Sequence, residues 1–130
     1  MNKLFYPAIF NVEQDGYSVD FPDFPECITE GDSLEEAYSM AFDVLGLCIE
    51  DYKENKKKLP EATAPYEIVT NKKSFIAIIE FDMIAYERKH SNKAVKKTLT
   101  IPAWLNSIAE EQHINFSSVL QQALKEQLNV

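Results

Sequence analysis

Two different spacings of apolar residues run along this chain, and the places where one gives way to the other divide it into elements. From Leu4 to Val12 aromatic and β-branched residues dominate, Gln14-Asp15-Gly16 interrupts them, and Tyr17, Val19 and Phe21 then alternate with Ser18 and Asp20. An Asp-Gly pair between two such runs predicts a β-hairpin, because both residues accept the positive φ of a tight hairpin turn. Pro22 and Pro25 stop the second strand, since proline has no N–H to give to a ladder, and Cys27-Ile28-Thr29 reads as a short third strand. After the Gly31-Asp32 turn, Ser33 stands as a helix N-cap with Glu36 completing a capping box. Leu34, Ala37, Ala41, Val44, Leu45, Cys48 and Tyr52 then recur at helical spacing, which predicts a helix from about Ser33 to Asn55, ended by the polar run Lys53 to Lys58 and by Pro60. Residues 59–73 read as a loop, and Phe75 to Phe81 is almost wholly apolar, the pattern of a strand covered on both faces or central to a sheet.

Beyond a junction at residues 83–94, the alternation returns in Val95-Lys96-Lys97-Thr98-Leu99-Thr100-Ile101, with Val95, Leu99 and Ile101 on one side and Lys96, Thr98 and Thr100 on the other. Pro102 suits the first position of a helix, Leu105, Ile108 and Ala109 give that helix an apolar edge, and His113-Ile114 ends it. Asn115 is placed to cap a second helix with a stripe of Phe116, Leu120, Ala123, Leu124 and Leu128. A strand and two short helices cannot bury a core alone, and a lone strand leaves both edges unpaired. Pairing with the same strand of a second chain answers both needs. Residues 95–130, and above all Lys97-Thr98-Leu99-Thr100-Ile101-Pro102, resemble the ribbon-helix-helix (β-α-α) fold of small bacterial repressors. That resemblance implies a homodimer whose two-stranded ribbon enters the DNA major groove. Lys96, Thr98 and Thr100 would then face base edges, the amides at Phe116 and Ser117 would hold a phosphate at the helix N-terminus, and Lys93 and Lys97 would add attraction to the backbone, as would Arg88 and Lys89.

Charge sharpens the division. Residues 1–82 hold 17 acids and 7 bases, a balance of −10, and residues 83–130 hold 4 acids and 6 bases, a balance of +2, which together make the net −8 of the 130-residue chain. An acidic body joined to a basic segment suits two partners of opposite sign. No apolar run reaches the roughly 18 residues of a membrane span, and Met1 to Phe10 lacks the pattern of a signal peptide, so a cytoplasmic protein is expected. Cys27 and Cys48 lack metal-ligand spacing and are expected as reduced, buried residues. No metal and no cofactor is called for.

Tyr6-Pro7-Ala8, Asp15-Gly16-Tyr17-Ser18-Val19, Phe21-Pro22-Asp23-Phe24-Pro25, Cys27 and Gly31-Asp32-Ser33-Leu34-Glu35-Glu36-Ala37 follow one another in an order that resembles the HicB family of antitoxins. Glu26 departs from the pattern: it stands where that family usually has glycine, and it adds negative charge to the loop. The resemblance implies an α+β protein with a partial ribonuclease-H-like β-β-β-α-β domain over residues 1–82, without that fold's catalytic carboxylates, followed by the ribbon-helix-helix module. It also implies a partner, a small basic HicA-like ribonuclease whose catalytic histidine and RNA surface the front domain would cover, while the rear dimer represses its own operon at operator DNA. The candidate toxin-contact residues are Asp20, Asp23, Phe24, Glu26, Glu30 and Asp32, and exposed strands in the front domain leave room for a tetramer.

Other classes of function fit less well. A nuclease built on Asp20, Asp23, Glu26 and Asp32 would need carboxylates converging from rigid elements, whereas Asp23 and Glu26 fall in a proline-rich loop and neither His90 nor His113 sits beside a nucleophile. The alternative to an antitoxin is a stand-alone ribbon-helix-helix repressor with a ligand-sensing front domain, but no phosphate-binding loop or ligand motif supports it. The blandest reading of residues 95–130, a dimerisation arm only, leaves the polar Lys-x-Thr-x-Thr face without a role.

Overall fold

The computed structural model describes residues 3–91 and 93–130 and divides the chain into two compact units, Met1–Lys93 and Ala94–Val130. In the first unit, β1 (Lys3–Glu13), β2 (Gly16–Phe21), β3 (Phe24–Gly31) and β4 (Ser74–Asp82) form an antiparallel sheet in the order β3-β2-β1-β4, and α1 (Leu34–Glu54) joins β3 to β4. The expected hairpin is present, but its two turn residues are Gln14 and Asp15 rather than Asp15 and Gly16: Gly16, with φ of 155°, already pairs with Glu13 as the first residue of β2. Pro7 is tolerated in the central strand because the β1–β2 pairing begins only at Ile9, so no ladder bond on that side is lost.

One face of the sheet and one stripe of α1 form the core. Tyr6, Ala8, Phe10, Val19, Phe21, Ile79 and Phe81 meet Ala37, Ala41, Leu45 and Ile49 there, all of them buried. The sheet contributes large aromatic side chains, and the helix meets them with two alanines, Ala37 and Ala41, and with the larger Leu45 and Ile49, which together fill the layer. The helix starts where the capping box predicts: the Ser33 hydroxyl accepts from Glu36 N (3.1 Å), and the Glu36 carboxylate accepts from Asp32 N (3.1 Å). At Gly31 any Cβ would run into the main chain of Ala37, which is why glycine ends β3.

Four expectations about the front unit need correction. Cys27 and Cys48, expected as reduced thiols, are joined as a disulfide between β3 and α1, with Cα atoms 6.5 Å apart. Both side chains point into the same layer interface, which sequence spacing does not reveal. The apolar strand Phe75–Phe81 is not central; β4 is an outer strand, and its apolar residues divide between the helix-covered face (Ile79, Phe81) and an exposed one (Ile78). β3 is longer than expected and contains Pro25, admissible because β3 is the other outer strand. The segment assigned to the junction holds a helix, α2 (Met83–His90), capped by the Asp82 carboxylate on Ile84 N (2.9 Å). Its Tyr86 is buried and packs against Phe42 and Phe81. The ring lies where a Cβ at Gly46 would be.

The second unit has α3 (Ala103–Glu111) and α4 (Phe116–Leu128), with Pro102 at the N-cap of α3 rather than inside it. The Asn115 side chain caps α4 by accepting from Ser118 N (3.1 Å), as expected. Residues 95–101 adopt neither helix nor strand in the single chain. The expected strand is therefore not formed, because a ladder needs a neighbour and the four-stranded sheet contains none of these residues.

Replacing Gly46 with leucine would force Tyr86 off α1. The expected outcome is a loss of about 2 kcal/mol, within the usual range for overpacking, measured by urea unfolding, with the Tyr86→Ala, Gly46→Leu double variant losing less than the sum of the two single ones.

Candidate functional site

Three of the acidic candidates share the face of the sheet away from α1, and the reason is a fault in the strand pairing. Asp20 pairs with Ile28 and Ser18 with Glu30, but the register slips between Asp20 and Phe21, so that Phe21 faces Phe24. A bulge of this kind changes which side chains point inward. It buries both Phe24 and Cys27, three positions apart, and turns Glu26, Ile28 and Glu30 outward, all exposed. Asp20 lies beside them, and its carboxylate accepts from Asn11 Nδ2 (3.0 Å). The result is an acidic ridge of Asp20, Glu26 and Glu30 around Ile28, which is 65% exposed. Sequence reasoning missed Ile28, since strict alternation would have left it ambiguous; the bulge decides it.

Other candidates have different employment. Phe24 is fully buried, edge-on to Tyr6 and Tyr52 at 4.8 and 5.3 Å, so its ring belongs to the core. Asp23 holds the loop after α1: its carboxylate accepts from Thr63 N (3.1 Å) and from the Thr63 hydroxyl (2.6 Å). Asp32 is exposed at the opposite end of β3 from Asp23, next to the α1 cap. No group of three or more His, Cys, Asp or Glu is arranged to hold a metal among the described residues.

The basic stretch also divides. Lys89 and His90 are turned back onto α1: Asp43 Oδ1 accepts from Lys89 Nζ (2.8 Å) and lies 2.9 Å from His90 Nε2, and Ser39 Oγ accepts from Lys89 (3.0 Å). Partial burial works to raise the Asp43 carboxyl, but the hydrogen bonds and charges of Lys89 and His90 outweigh it and hold the group below its ordinary value. Burial pushes the Tyr86 phenol up, and the nearby Glu50 adds to this. Lys93, Lys96, Lys97, Thr98 and Thr100 are all exposed.

In the second unit neither α3 nor α4 buries a single residue. Leu99, Ile101, Leu105, Ile114, Phe116 and Leu120 line an open groove of about 690 Å³ between the segment before α3 and the two helices. Phe116 and Ser117 line this groove and begin α4, and their main-chain N–H groups are unpaired within the helix as first-turn amides are.

A family model described as a HicB-like antitoxin of a bacterial toxin–antitoxin system matches residues 6–124. The chain belongs to the HicB-like antitoxin family. Members of this family are antitoxins and not enzymes. "Antitoxin HicB 1" of Photorhabdus laumondii is 48% identical over 61 residues, 46% of this chain and 39% of the relative. The chain spans about two-fifths of the length of the two curated HicB relatives it matches. Among solved structures, a toxin–antitoxin complex from Streptococcus pneumoniae superposes with a TM-score of 0.58 at 29% identity, over 97% of this chain and 99% of that one. The Burkholderia pseudomallei antitoxin HicB shares the fold at 18% identity, with a TM-score of 0.53 over 97% of both chains. The α+β architecture, a four-stranded antiparallel sheet with four helices, is that of these structures.

The Asp43 contacts give a pH dependence with a definite sign. A carboxyl held low when folded stabilises above its unfolded value, near 3.9, and that stability is lost as pH falls through the lower folded value. Asp43→Asn is expected to cost about 1 kcal/mol at pH 7 and progressively less as the pH falls below about 4, as read from thermal midpoints of both proteins across pH 2–7.

Proposed function

We propose that this protein is the antitoxin of a HicAB-type system, that its front unit neutralises a small basic HicA-like ribonuclease by covering the active site, and that its rear unit represses its own operon as a ribbon-helix-helix dimer on operator DNA. The observation that carries the rear-unit reading is the bare apolar groove: two amphipathic helices without one buried residue, beside a strand-patterned segment that lacks a ladder. A second copy of residues 95–130 supplies both the missing core and the missing strand neighbour. In that dimer Lys96, Thr98 and Thr100 lie on the polar side of the ribbon, where the lysine donates to guanine and the threonines offer a hydroxyl or a methyl group. Lys97 and Lys93 neutralise phosphates, and the amides of Phe116 and Ser117 grip one at the α4 N-terminus.

Family membership supports the antitoxin reading, and the −10 front unit suits a basic partner, because complementary charge speeds encounter and favours the right one. The acidic ridge around Ile28 is the best-formed surface for it, with Asp32 beside the α1 cap and Asp23 acting at one remove, through the loop it holds. The front unit, in its β-β-β-α-β order, is a ribonuclease-H-like remnant that binds and does not cleave. The work of both units places the protein in the cytoplasm, with mRNA and operator.

Co-expression with the neighbouring gene for a small basic protein tests the whole reading through rescue of growth and co-purification. Glu26→Lys with Glu30→Lys is expected to weaken that complex at least tenfold, about 1.4 kcal/mol, in titration calorimetry, while operator binding persists. Lys96→Ala with Thr98→Ala is expected to abolish the operator shift in gel assays and leave growth rescue intact. Loss of both activities in either folded variant would defeat the division of labour.

A further inference from the structure

The register slip leaves part of β3 without a neighbour in the sheet. Phe24 faces Phe21 and Ile28 faces Asp20, so Pro25, Glu26 and Cys27 between them stand opposite no residue of β2. β3 is an outer strand, and the sheet offers it no neighbour on its other edge. What holds this stretch to the body is its inward side chain, Cys27, which is joined to Cys48 of α1. Glu26 and Ile28, two members of the acidic ridge, are the residues on either side of it.

The surroundings accommodate both states of the pair. These are the chain's two cysteines, 21 residues apart in sequence, so within one chain each thiol has the other and no third partner. With the bond open, the Cys27 thiol still has an acceptor: its Sγ lies 3.4 Å from the Val44 carbonyl oxygen, and a main-chain carbonyl has a second lone pair besides the one used in its helix. An opened bond therefore leaves no unsatisfied donor at Cys27. Cys27 is fully buried and Cys48 is 9% exposed, so a reagent from solution meets the Cys48 sulfur first. The unpaired bulge gives the sulfurs room to part without breaking a ladder bond. In the reducing cytoplasm, where the proposed antitoxin works, disulfides are usually transient or redox-sensing rather than permanent.

We propose that Cys27 and Cys48 form a reversible redox site, which fastens the ridge strand to α1 when oxidised and releases it when reduced. Hydrogen peroxide serves as the oxidant. The Cys48 thiol takes one peroxide oxygen as a sulfenic acid while the other leaves as water, and the Cys27 thiol then displaces the sulfenic hydroxyl, forming the S–S bond and another water. Both thiol protons end in the waters, and the electrons lost by the sulfurs reduce the peroxide. Glutathione thiols reverse the step, becoming glutathione disulfide as the cysteines regain their protons. The oxidised chain presents a ridge already held in place, and its bond closes the loop between residues 27 and 48 in the unfolded state. Its grip on a basic partner is then tighter, since less freedom is lost on binding. This last step rests on the toxin-contact reading of the ridge; the redox site itself does not.

The test uses the full-length chain equilibrated in glutathione buffers from wholly reduced to wholly oxidised, or treated with hydrogen peroxide. Mass after thiol alkylation is expected to show both cysteines free in the reduced chain and neither free in the oxidised one, without covalent dimers. Oxidation is expected to raise the thermal midpoint of the front unit by about 10 °C. In amide exchange by NMR, reduction is expected to speed the protected amides of residues 18–30 about tenfold more than those of the β1–β4 pair. Cys48→Ser is expected to behave as the reduced chain in every buffer. The reduced chain is expected to bind the co-expressed basic protein about fivefold more weakly in titration calorimetry. The proposal is overturned if the bond survives excess reduced glutathione in the folded chain, or if the thiols stay free under peroxide. It is equally overturned if exchange in β2 and β3 merely follows the β1–β4 pair. Redox-dependent exchange in β3 with unchanged affinity upholds the redox site and counts against the ridge as the toxin contact.

Discussion

The packing of α1 on one face of the sheet is the constraint on which the rest of the front unit depends. Phe10, Phe21, Phe24 and Phe81 fill the sheet side, and on the helix side Ala37 and Ala41 leave room for them while Leu45 and Ile49 fill the rest. Burying aromatic side chains of this size dominates the energetics of a small layer. Everything functional in this unit is set by which side chains that layer takes inward. The same interface holds the Cys27–Cys48 bond and fixes the capped start of the helix.

The acidic ridge is a consequence of that core. Phe24 and Cys27 both have to reach the helix, and a regular strand cannot turn residues three apart to one side. The register slip at Asp20/Phe21 resolves the conflict, and what it leaves outside is Glu26, Ile28 and Glu30. An exposed isoleucine ringed by carboxylates is the kind of surface that combines an apolar centre with a steering field. Asp23 and Lys89, by contrast, carry charges that the fold already uses, one to hold the loop at Thr63 and one to hold α2 through Asp43.

The rear unit has the opposite logic. Its helices are well capped and well patterned, yet none of their residues is buried. Local sequence dictates the elements, while their core belongs to an assembly larger than one chain. The two units therefore divide the problem: the front one is complete as a fold and offers surfaces, and the rear one offers surfaces because it is incomplete as a fold.

Much of this was legible in the sequence. The Asp15-Gly16 hairpin, the Ser33 and Glu36 capping box, the stripe of α1, the Asn115 cap and the apolar faces of α3 and α4 are all local signals, set within a few residues by main-chain geometry and side-chain hydrogen bonding. The motif order that marks the family is likewise a property of the chain. Only the tertiary structure decided that Phe24 is core, that Ile28 is surface, that Cys27 meets Cys48, that Tyr86 docks at Gly46 and that β4 is an outer strand. Each of these depends on which distant segment arrives alongside. Periodicity shows that a residue has a buried side, but only packing chooses the neighbour that buries it.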